Sequence, residues 1–386
     1  MNYVSVRAFA KINHFLKIVG VREDGYHLIR SHMQAVSLCD DVRVELAEAG
    51  RGGDTRVDVE METPARCGQP LPQGEGNIAH RAAGLALRLW GSLGGGRVLE
   101  DEPVEPCEQV KPGGVGGQGW HVRVAITKRI PMAAGMAGGS ADAAATMLAL
   151  AKMMAPQLPL KDIMKAGARI GADVPFCMAA IARRETALGY GPDSGAGTSF
   201  ICEGIGDVMS KAAPVRGFAV LVKPDIEVST PRVYGAWDSM ARGDAAGTDG
   251  AGVDAAGDSG GADAAGGAGG AEAAGAVGAN AVGTEQANDL ERPALWLFPR
   301  IGDIMDEVKG LAGFAGADAD KANAGAGEGG GAGASAPSRV FMTGSGPTIV
   351  ALYDDESDAA SGYERIAQAY KNRTDINAVF QVELLR

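Results

Sequence analysis

A chain of 386 residues, 46% hydrophobic and 22% charged, is long enough for two to three domains, each with a sizeable core. The net charge of -12 excludes the basic footprint of a nucleic-acid binder, and no unbroken apolar run is long enough for a membrane span. The five cysteines, Cys39, Cys67, Cys107, Cys177 and Cys202, are scattered without a C-x-x-C pair, which predicts free thiols in a reduced, cytoplasmic protein.

Residues 4–21 read as strand. Val4, Val6 and Ala8 alternate with Ser5, Arg7 and Phe9, and β-rich content follows over 15–21. Lys11, Asn13 and Lys17 interrupt any apolar leader, so no signal peptide is expected. Arg22-Glu23-Asp24-Gly25 is a hairpin signal, because Asp-Gly supplies the positive φ such turns need. The pattern over 26–37 fits a returning strand or a short helix equally, and 41–46 alternates again. Asn77 is a plausible N-cap for a helix whose apolar face is Ile78, Ala82, Leu85, Ala86 and Leu89. Residues 91–119 read as a loop rich in Gly, Glu and Pro.

A strand over 122–127 leads into a small-residue loop, and a helix is expected over 141–154 with Ser140 at its N-cap. A second helix is expected over 160–170, followed by Gly171-Ala172-Asp173-Val174-Pro175-Phe176. Residues 186–190 and 200–205 fit strands, and 218–222 fits one better. The segment 243–287 is nearly all Gly, Ala and Asp, with seven acids and no Lys or Arg, and reads as a disordered insertion. A smaller relative lies at 313–337. Between them Ile301, Ile304, Met305 and Val308 mark a helix ending near Gly310. Strands at 340–342 and 348–353 flank Gly344-Ser345-Gly346-Pro347; a helix over 357–370 and a strand over 378–384 follow. Strands and helices mix without strict βα alternation, which favours a two-domain α+β architecture.

The strand–loop–helix at 131–151 is a natural phosphate cradle, since bare N–H groups and a helix N-terminus favour anions. A tight βα connection holding nothing is the equal alternative from this stretch alone. No G-x-x-x-x-G-K-[ST] occurs, and the G-x-G-x-x-G of Gly325, Gly327 and Gly330 lies inside low complexity. His14, His32, His80 and His121 have no metal-ligand spacing, so no metal ligands are assigned.

An ordered set of segments is more informative than any one of them: Ala10-Lys11-Ile12-Asn13, Asp24-Gly25-Tyr26-His27, the loop 131–141, Gly171-Ala172-Asp173-Val174-Pro175 and Gly344-Ser345-Gly346-Pro347. Together they resemble the signature regions of the GHMP kinase superfamily. The D-G-Y-H hairpin and the G-A-D-V-P segment most resemble the branch that phosphorylates the 2-hydroxyl of a cytidine diphosphate-linked methylerythritol in non-mevalonate isoprenoid synthesis.

The resemblance implies a ribosomal-protein-S5-like N-terminal domain over 1–185 and a ferredoxin-like C-terminal domain over 186–386, with ATP between them. It implies Lys11 and Asp173 as catalytic, Asp173 orienting or deprotonating the acceptor hydroxyl beside the Lys11 ammonium. It assigns to ATP the residues Lys128, Pro131, Met132, Ala133, Ala134, Gly135, Met136, Ala137, Gly138, Gly139, Ser140 and Ala141, with Mg²⁺ carried in on the nucleotide. It assigns to the acceptor Asn13, Tyr26, His27, Thr230 and Tyr234. From the residues alone, Lys128 is equally a solvated strand-end charge and Lys11 a surface lysine on an edge strand. Asp173 reads first as a turn or cap residue, Tyr26 as a hairpin packing residue and His27 as merely exposed.

Ala133 and Ala134 stand where the family often has glycine, so the loop is expected to avoid positive φ there. The rivals are another GHMP kinase acting on mevalonate, homoserine or a sugar, an inactive nucleotide-binding regulator, or a scaffold assembled through the Ala/Gly/Asp insertion. The expected partner is a small molecule, with no nucleic acid or membrane, and the expected state a monomer or homodimer.

Overall fold

The computed structural model describes residues 2–51, 53–62, 74–90, 118–242, 287–314 and 336–386. The loop and insertions expected over 91–119, 243–287 and 313–337 fall outside these residues except at their edges. The N-terminal segment forms two long antiparallel strands, β1 (Asn2–Val21) and β2 (His27–Arg51). Gly25 takes φ 85° in the turn between them, as Asp-Gly predicts. Residues 26–37, equally strand or helix by pattern, are strand. Their alternation fails because Ser31–Val36 is buried without a break, covered on both faces of the sheet.

The sheet continues with β3 (Arg56–Glu62), β4 (Gln118–Thr127), β5 (Ser199–Glu203) and β6 (Val208–Lys211). Their order is β3-β4-β2-β5-β6, β1 also pairing with β2, and β3 runs parallel to β4. Four helices accompany it: α1 (Ile78–Trp90), α2 (Gly138–Met154), α3 (Leu160–Ala168) and α4 (Val174–Arg184). Asn77 caps α1 as expected, accepting from Ala79 N at 2.8 Å. The α2 helix is buried on every side from Ala141 to Ala151. Its alanines let α1, α4 and the sheet all approach the same short stretch of helix. The strand expected over 186–190 is instead a 3-10 turn, Thr186–Leu188, closed by Gly189 at φ 87°.

The second sheet contains β7 (Phe218–Pro224), β8 (Arg339–Met342), β9 (Ile349–Tyr353) and β10 (Ile376–Glu383), in the order β10-β7-β9-β8 and antiparallel throughout. With α5 (Thr230–Ala241), α6 (Glu291–Leu297) and α7 (Pro299–Ala312) between its first two strands and α8 (Glu356–Tyr370) between its last two, this is the split βαβ order of a ferredoxin-like domain. The α7 and α8 helices cover one face through Ile304, Val308 and Ile366. The α7 helix ends on Gly313 at φ 78°, past the expected Gly310.

The other face of this sheet packs on the first. Ala10, Ile12 and Val36 meet Leu221, Val350 and Leu384 in one buried cluster, together with Ile130, Ala134 and Met136 from the loop after β4. The expected division at 185/186 assigns 199–211 to the second half, yet β5 pairs with β2 and β6 with β5 in the first sheet. We propose the division at 212–217, where the chain passes between sheets. Among the described residues no helix is long and apolar enough to cross a membrane.

Candidate active site

Along β1, Lys11 and Asn13 alternate with Ala10 and Ile12. The latter two fill the inter-sheet core, so the former two face away from it, into a cleft of about 500 Å³ lined by residues of both domains. Lys11 is therefore buried and not on an exposed edge. Its ammonium donates to Asn13 Oδ1 at 2.7 Å and Gly135 O at 3.1 Å, and stands 3.7 Å from Asp173 Oδ2. Asp173 precedes α4, but its side chain caps nothing, and at 29% side-chain exposure it opens onto the cleft.

Asn13 borders the cleft, yet its side chain is spent inside the protein. Its Oδ1 accepts from Lys11, its Nδ2 donates to Ser31 Oγ at 2.8 Å, and its own N–H donates to Thr343 Oγ1 at 2.8 Å. At 1% exposure Asn13 holds Lys11 in place from the cleft wall.

The 131–140 loop closes the cleft opposite. Pro131, Met132, Ala133, Ala134, Gly135, Ala137, Gly138, Gly139 and Ser140 all line it. Gly135 sits at φ 71° with no room for a side chain: a Cβ there would stand 2.8 Å from both Thr343 O and Gly346 O. The 343–347 turn, with Gly344 at φ 58° and Gly346 at φ 85°, thus packs directly on the loop and on Lys11.

Two conformational expectations fail here. Ala133 does adopt positive φ, at 47°, and so does Ala137, at 59°; Ala134 does not. Ser140 is not the N-cap, because α2 begins at Gly138 behind the left-handed Ala137. The first helical bond is Ala141 N–H to Ala137 O at 2.9 Å, so the N–H groups of Gly138, Gly139 and Ser140 have no acceptor among the described residues at the helix start. Starting the helix at two glycines gives an anion close access to this end.

Three members of the expected ATP set do not line the cleft. Ala141 is fully buried and its N–H is taken. Met136 points into the inter-sheet core, and only its carbonyl reaches the site's edge, accepting from Lys11 N at 3.1 Å. Lys128, expected against the nucleotide, is 1% exposed and clamped between Asp40 Oδ2 at 2.6 Å and Asp142 Oδ2 at 2.8 Å. Burial alone would lower its ammonium's pKa, but Asp142 and Asp40 outweigh that and hold it above its ordinary value.

On the second-domain side, Thr230 opens α5 and its hydroxyl pairs with Ser345 Oγ at 2.8 Å, linking two cleft walls. Tyr234, one turn on, lines the cleft, and burial pushes its phenol up to about 12. The α5 helix also gathers the hairpin. The His27 ring lies 4.7 Å from Tyr234 and 5.6 Å, edge on, from Trp237, and its Nε2 is 2.8 Å from Asp238 Oδ1. Tyr26, 42% exposed, has the Arg22 guanidinium 6.0 Å from its ring. His27 and Tyr26 are not in the cleft wall itself, and His27 joins it through Tyr234.

The residues missed from sequence are Asp40, Asp142, Ser31, Thr343, Ser345 and Asp238. Asp142 carried one signal, a lone acid inside an alanine-rich helix, and Ser345 lay within a motif already singled out. Asp40 carried none, since its partners are 88 residues away or more.

Comparison with known proteins bears on this arrangement. The model of the GHMP kinases N terminal domain matches residues 108–180, and that of the GHMP kinases C terminal domain matches residues 331–372. The chain is 35% identical over 235 residues to the 4-diphosphocytidyl-2-C-methyl-D-erythritol kinase of Acetivibrio thermocellus, covering 61% of this chain and 64% of that one. It is 36% identical over 232 residues to the kinase of the same name from Clostridium tetani, covering 60% and 64%. The match thus spans just under two thirds of these relatives' length. A kinase of that name from Clostridium botulinum is 27% identical over 369 residues, 95% of this chain and 97% of that one. Among solved structures, a 4-(cytidine 5'-diphospho)-2C-methyl-D-erythritol kinase aligns over 99% of both chains with TM-score 0.56 at 22% identity. The homoserine kinase of Cytophaga hutchinsonii aligns over 98% of this chain and 95% of its own, with TM-score 0.51 at 15% identity. These structural likenesses establish a shared two-domain fold.

Proposed function

The chain belongs to the GHMP kinase superfamily, and from that we propose that it transfers the γ-phosphoryl group of ATP to the 2-hydroxyl of 4-diphosphocytidyl-2-C-methyl-D-erythritol. The observation that carries the reading is the Lys11–Asp173 pair, 3.7 Å apart, at the wall of a cleft closed by a helix start with free N–H groups. Phosphoryl transfer demands positioning and charge neutralisation more than covalent chemistry, and these are what the cleft offers.

In this reading the N–H groups of Gly138, Gly139 and Ser140, with the loop from Pro131 to Ala137, hold the ATP phosphates. Mg²⁺ carried on those phosphates would supply charge neutralisation, and the Ser140 hydroxyl is the loop's side-chain oxygen that could hold it. Asp173 accepts or orients the acceptor's proton, and Lys11, 3.7 Å from that carboxylate, faces the transferred group. Lys11 is itself fixed by Asn13 and Gly135, so it needs no reorganisation during the reaction. Tyr26, His27 and Tyr234 take the cytosine end, an aromatic cluster supplying stacking and His27 a hydrogen-bonding edge. The small-molecule partner and cytoplasmic setting belong to the same proposal.

The test is a purified-protein assay with ATP and a panel of diphosphocytidyl-methylerythritol, mevalonate, homoserine and galactose. Preference for any of the last three overturns the narrow assignment. Asp173→Asn should lower kcat by about 10²- to 10⁴-fold with ATP affinity retained by calorimetry. Unchanged turnover in that variant removes Asp173 from the mechanism.

A further inference from the structure

Beneath the loop lies a buried cluster of ions with no part in the chemistry just described. Lys128, directly after β4, meets Asp40 of β2 and Asp142 of α2, and all three are at most 2% exposed. Asp40 also accepts, through Oδ1, the backbone N–H of Arg129 and that of Ile130 at 2.8 Å, so it grips the first residues leading into the loop. Asp142 Oδ1 is buried with no hydrogen-bond donor among the described residues. Burial and the nearby Asp40 raise this carboxyl's pKa, and the Lys128 ammonium opposes them. A Cβ placed on Gly138 would stand 3.3 Å from Lys128 Nζ, so the ammonium sits directly under the first residue of α2. Buried ions with an orphan oxygen are a poor way to stabilise a fold, because apolar packing of the same volume does as well or better.

We propose that Asp40, Lys128 and Asp142 are positioning residues for ATP. They tie β2, the loop's entry and the first turns of α2 into one rigid unit, so the free N–H groups at 138–140 hold a fixed direction into the cleft. The proposal rests on the reading of that cleft as the ATP site. A receptor made of backbone N–H groups must be pre-organised, since any loop freedom lost on binding subtracts from affinity. Lys128 then acts on ATP through the loop and never touches it.

Asp142→Asn separates this from direct contact between Lys128 and a phosphate. The amide keeps the shape of the side chain but removes one of the ammonium's two ion pairs. If the network positions the loop, the Kd and KM for ATP rise about tenfold, kcat stays within about threefold, and KM for the alcohol does not move. If the ammonium reaches ATP itself, freeing it from Asp142 leaves the Kd unchanged or lowers it, and that result overturns the proposal. Should Asp142→Asn yield no folded protein, Asp40→Asn is read by the same calorimetric titration with the same two outcomes, its amide oxygen still able to accept from Ile130. Titrating the unaltered chain with ATP and no acceptor distinguishes the two levels. No ATP binding there refutes the kinase reading, whereas equal binding by wild type and variant refutes the network alone.

Discussion

Two buried histidines should each cost this protein stability on acidification, and the size of the effect follows from where they sit. His14 and His32 lie with ring centroids 4.8 Å apart between the two sheets. Gln34 donates its amide to Val215 O and Leu385 O, which fixes its Oε1 as the acceptor facing His14 Nε2 at 3.0 Å. His14 therefore carries its proton on Nε2, and this contact joins β2 to both ends of the second domain. Burial holds His14 down to about 3, with His32 opposing its charge, and burial holds His32 down to about 4.

Both rings are neutral in the fold, while in the unfolded chain they protonate below about 6.5. The unfolded state thus binds more protons as pH falls, and stability present above about pH 6.5 is lost below it. At pH 5 the cost is 1.36 kcal/mol times about 1.5 pH units, or about 2 kcal/mol for each histidine. Asp142 works in the opposite sense: its raised pKa makes the fold gain stability on acidification. Wild type alone would mix the two terms, so the measurement is a difference. Urea unfolding of wild type and His14→Asn at pH 7.5 and pH 5, with fluorescence and circular dichroism coincident, cancels Asp142, which is common to both. The loss of stability on acidification should be about 2 kcal/mol smaller in the variant. Equal losses in the two proteins would show that His14 is not buried as a neutral ring.

The loop makes two sharper predictions about its backbone. Gly135→Ala should lower both melting temperature and kcat/KM, because the new Cβ meets two backbone carbonyls at 2.8 Å at a φ that already costs an alanine ~1 kcal/mol; wild-type activity would mean the loop does not press on the 343–347 turn. Ala133→Gly should leave melting temperature and ATP affinity nearly unchanged, since relief of strain at φ 47° offsets the ~1 kcal/mol entropy cost of a glycine. A fall of several degrees in melting temperature would argue that Ala133 has an ordinary negative φ.

What was legible in the sequence follows the range of the forces involved. The hairpin, the Asn77 cap and the second domain's strands are fixed by neighbours a few residues apart, and they appear where the pattern puts them. The strand over 26–37 was ambiguous because burial on both faces erases period-two alternation. The α5 helix went unseen for a related reason: among its residues only Val233 and Ala236 are buried, too few to print a periodicity. The α2 start was displaced by three residues because a hydroxyl is the usual capping signal, whereas here the helix begins at glycine behind a left-handed alanine. That choice leaves N–H groups free that a side-chain cap would have occupied.

Lys128 shows where reading by proximity fails. A lysine just before a phosphate loop invites assignment to the phosphates, and nothing within a dozen residues on its N-terminal side argues otherwise. The decisive partner is Asp40, 88 residues away, brought alongside by the pairing of β2 with β4. To reach ATP the ammonium would have to leave two buried carboxylates, one of them holding Ile130 as well. Breaking a buried ion pair costs ~3–5 kcal/mol, more than the ~1–3 kcal/mol that a charged hydrogen bond to a hydrated phosphate returns. Lys11 is the converse case. Read alone it is a surface lysine, yet it is buried beside Asp173 in the wall of the cleft. The two lysines exchange the roles that their local sequence suggests, and the exchange is set by strand pairing rather than by either motif.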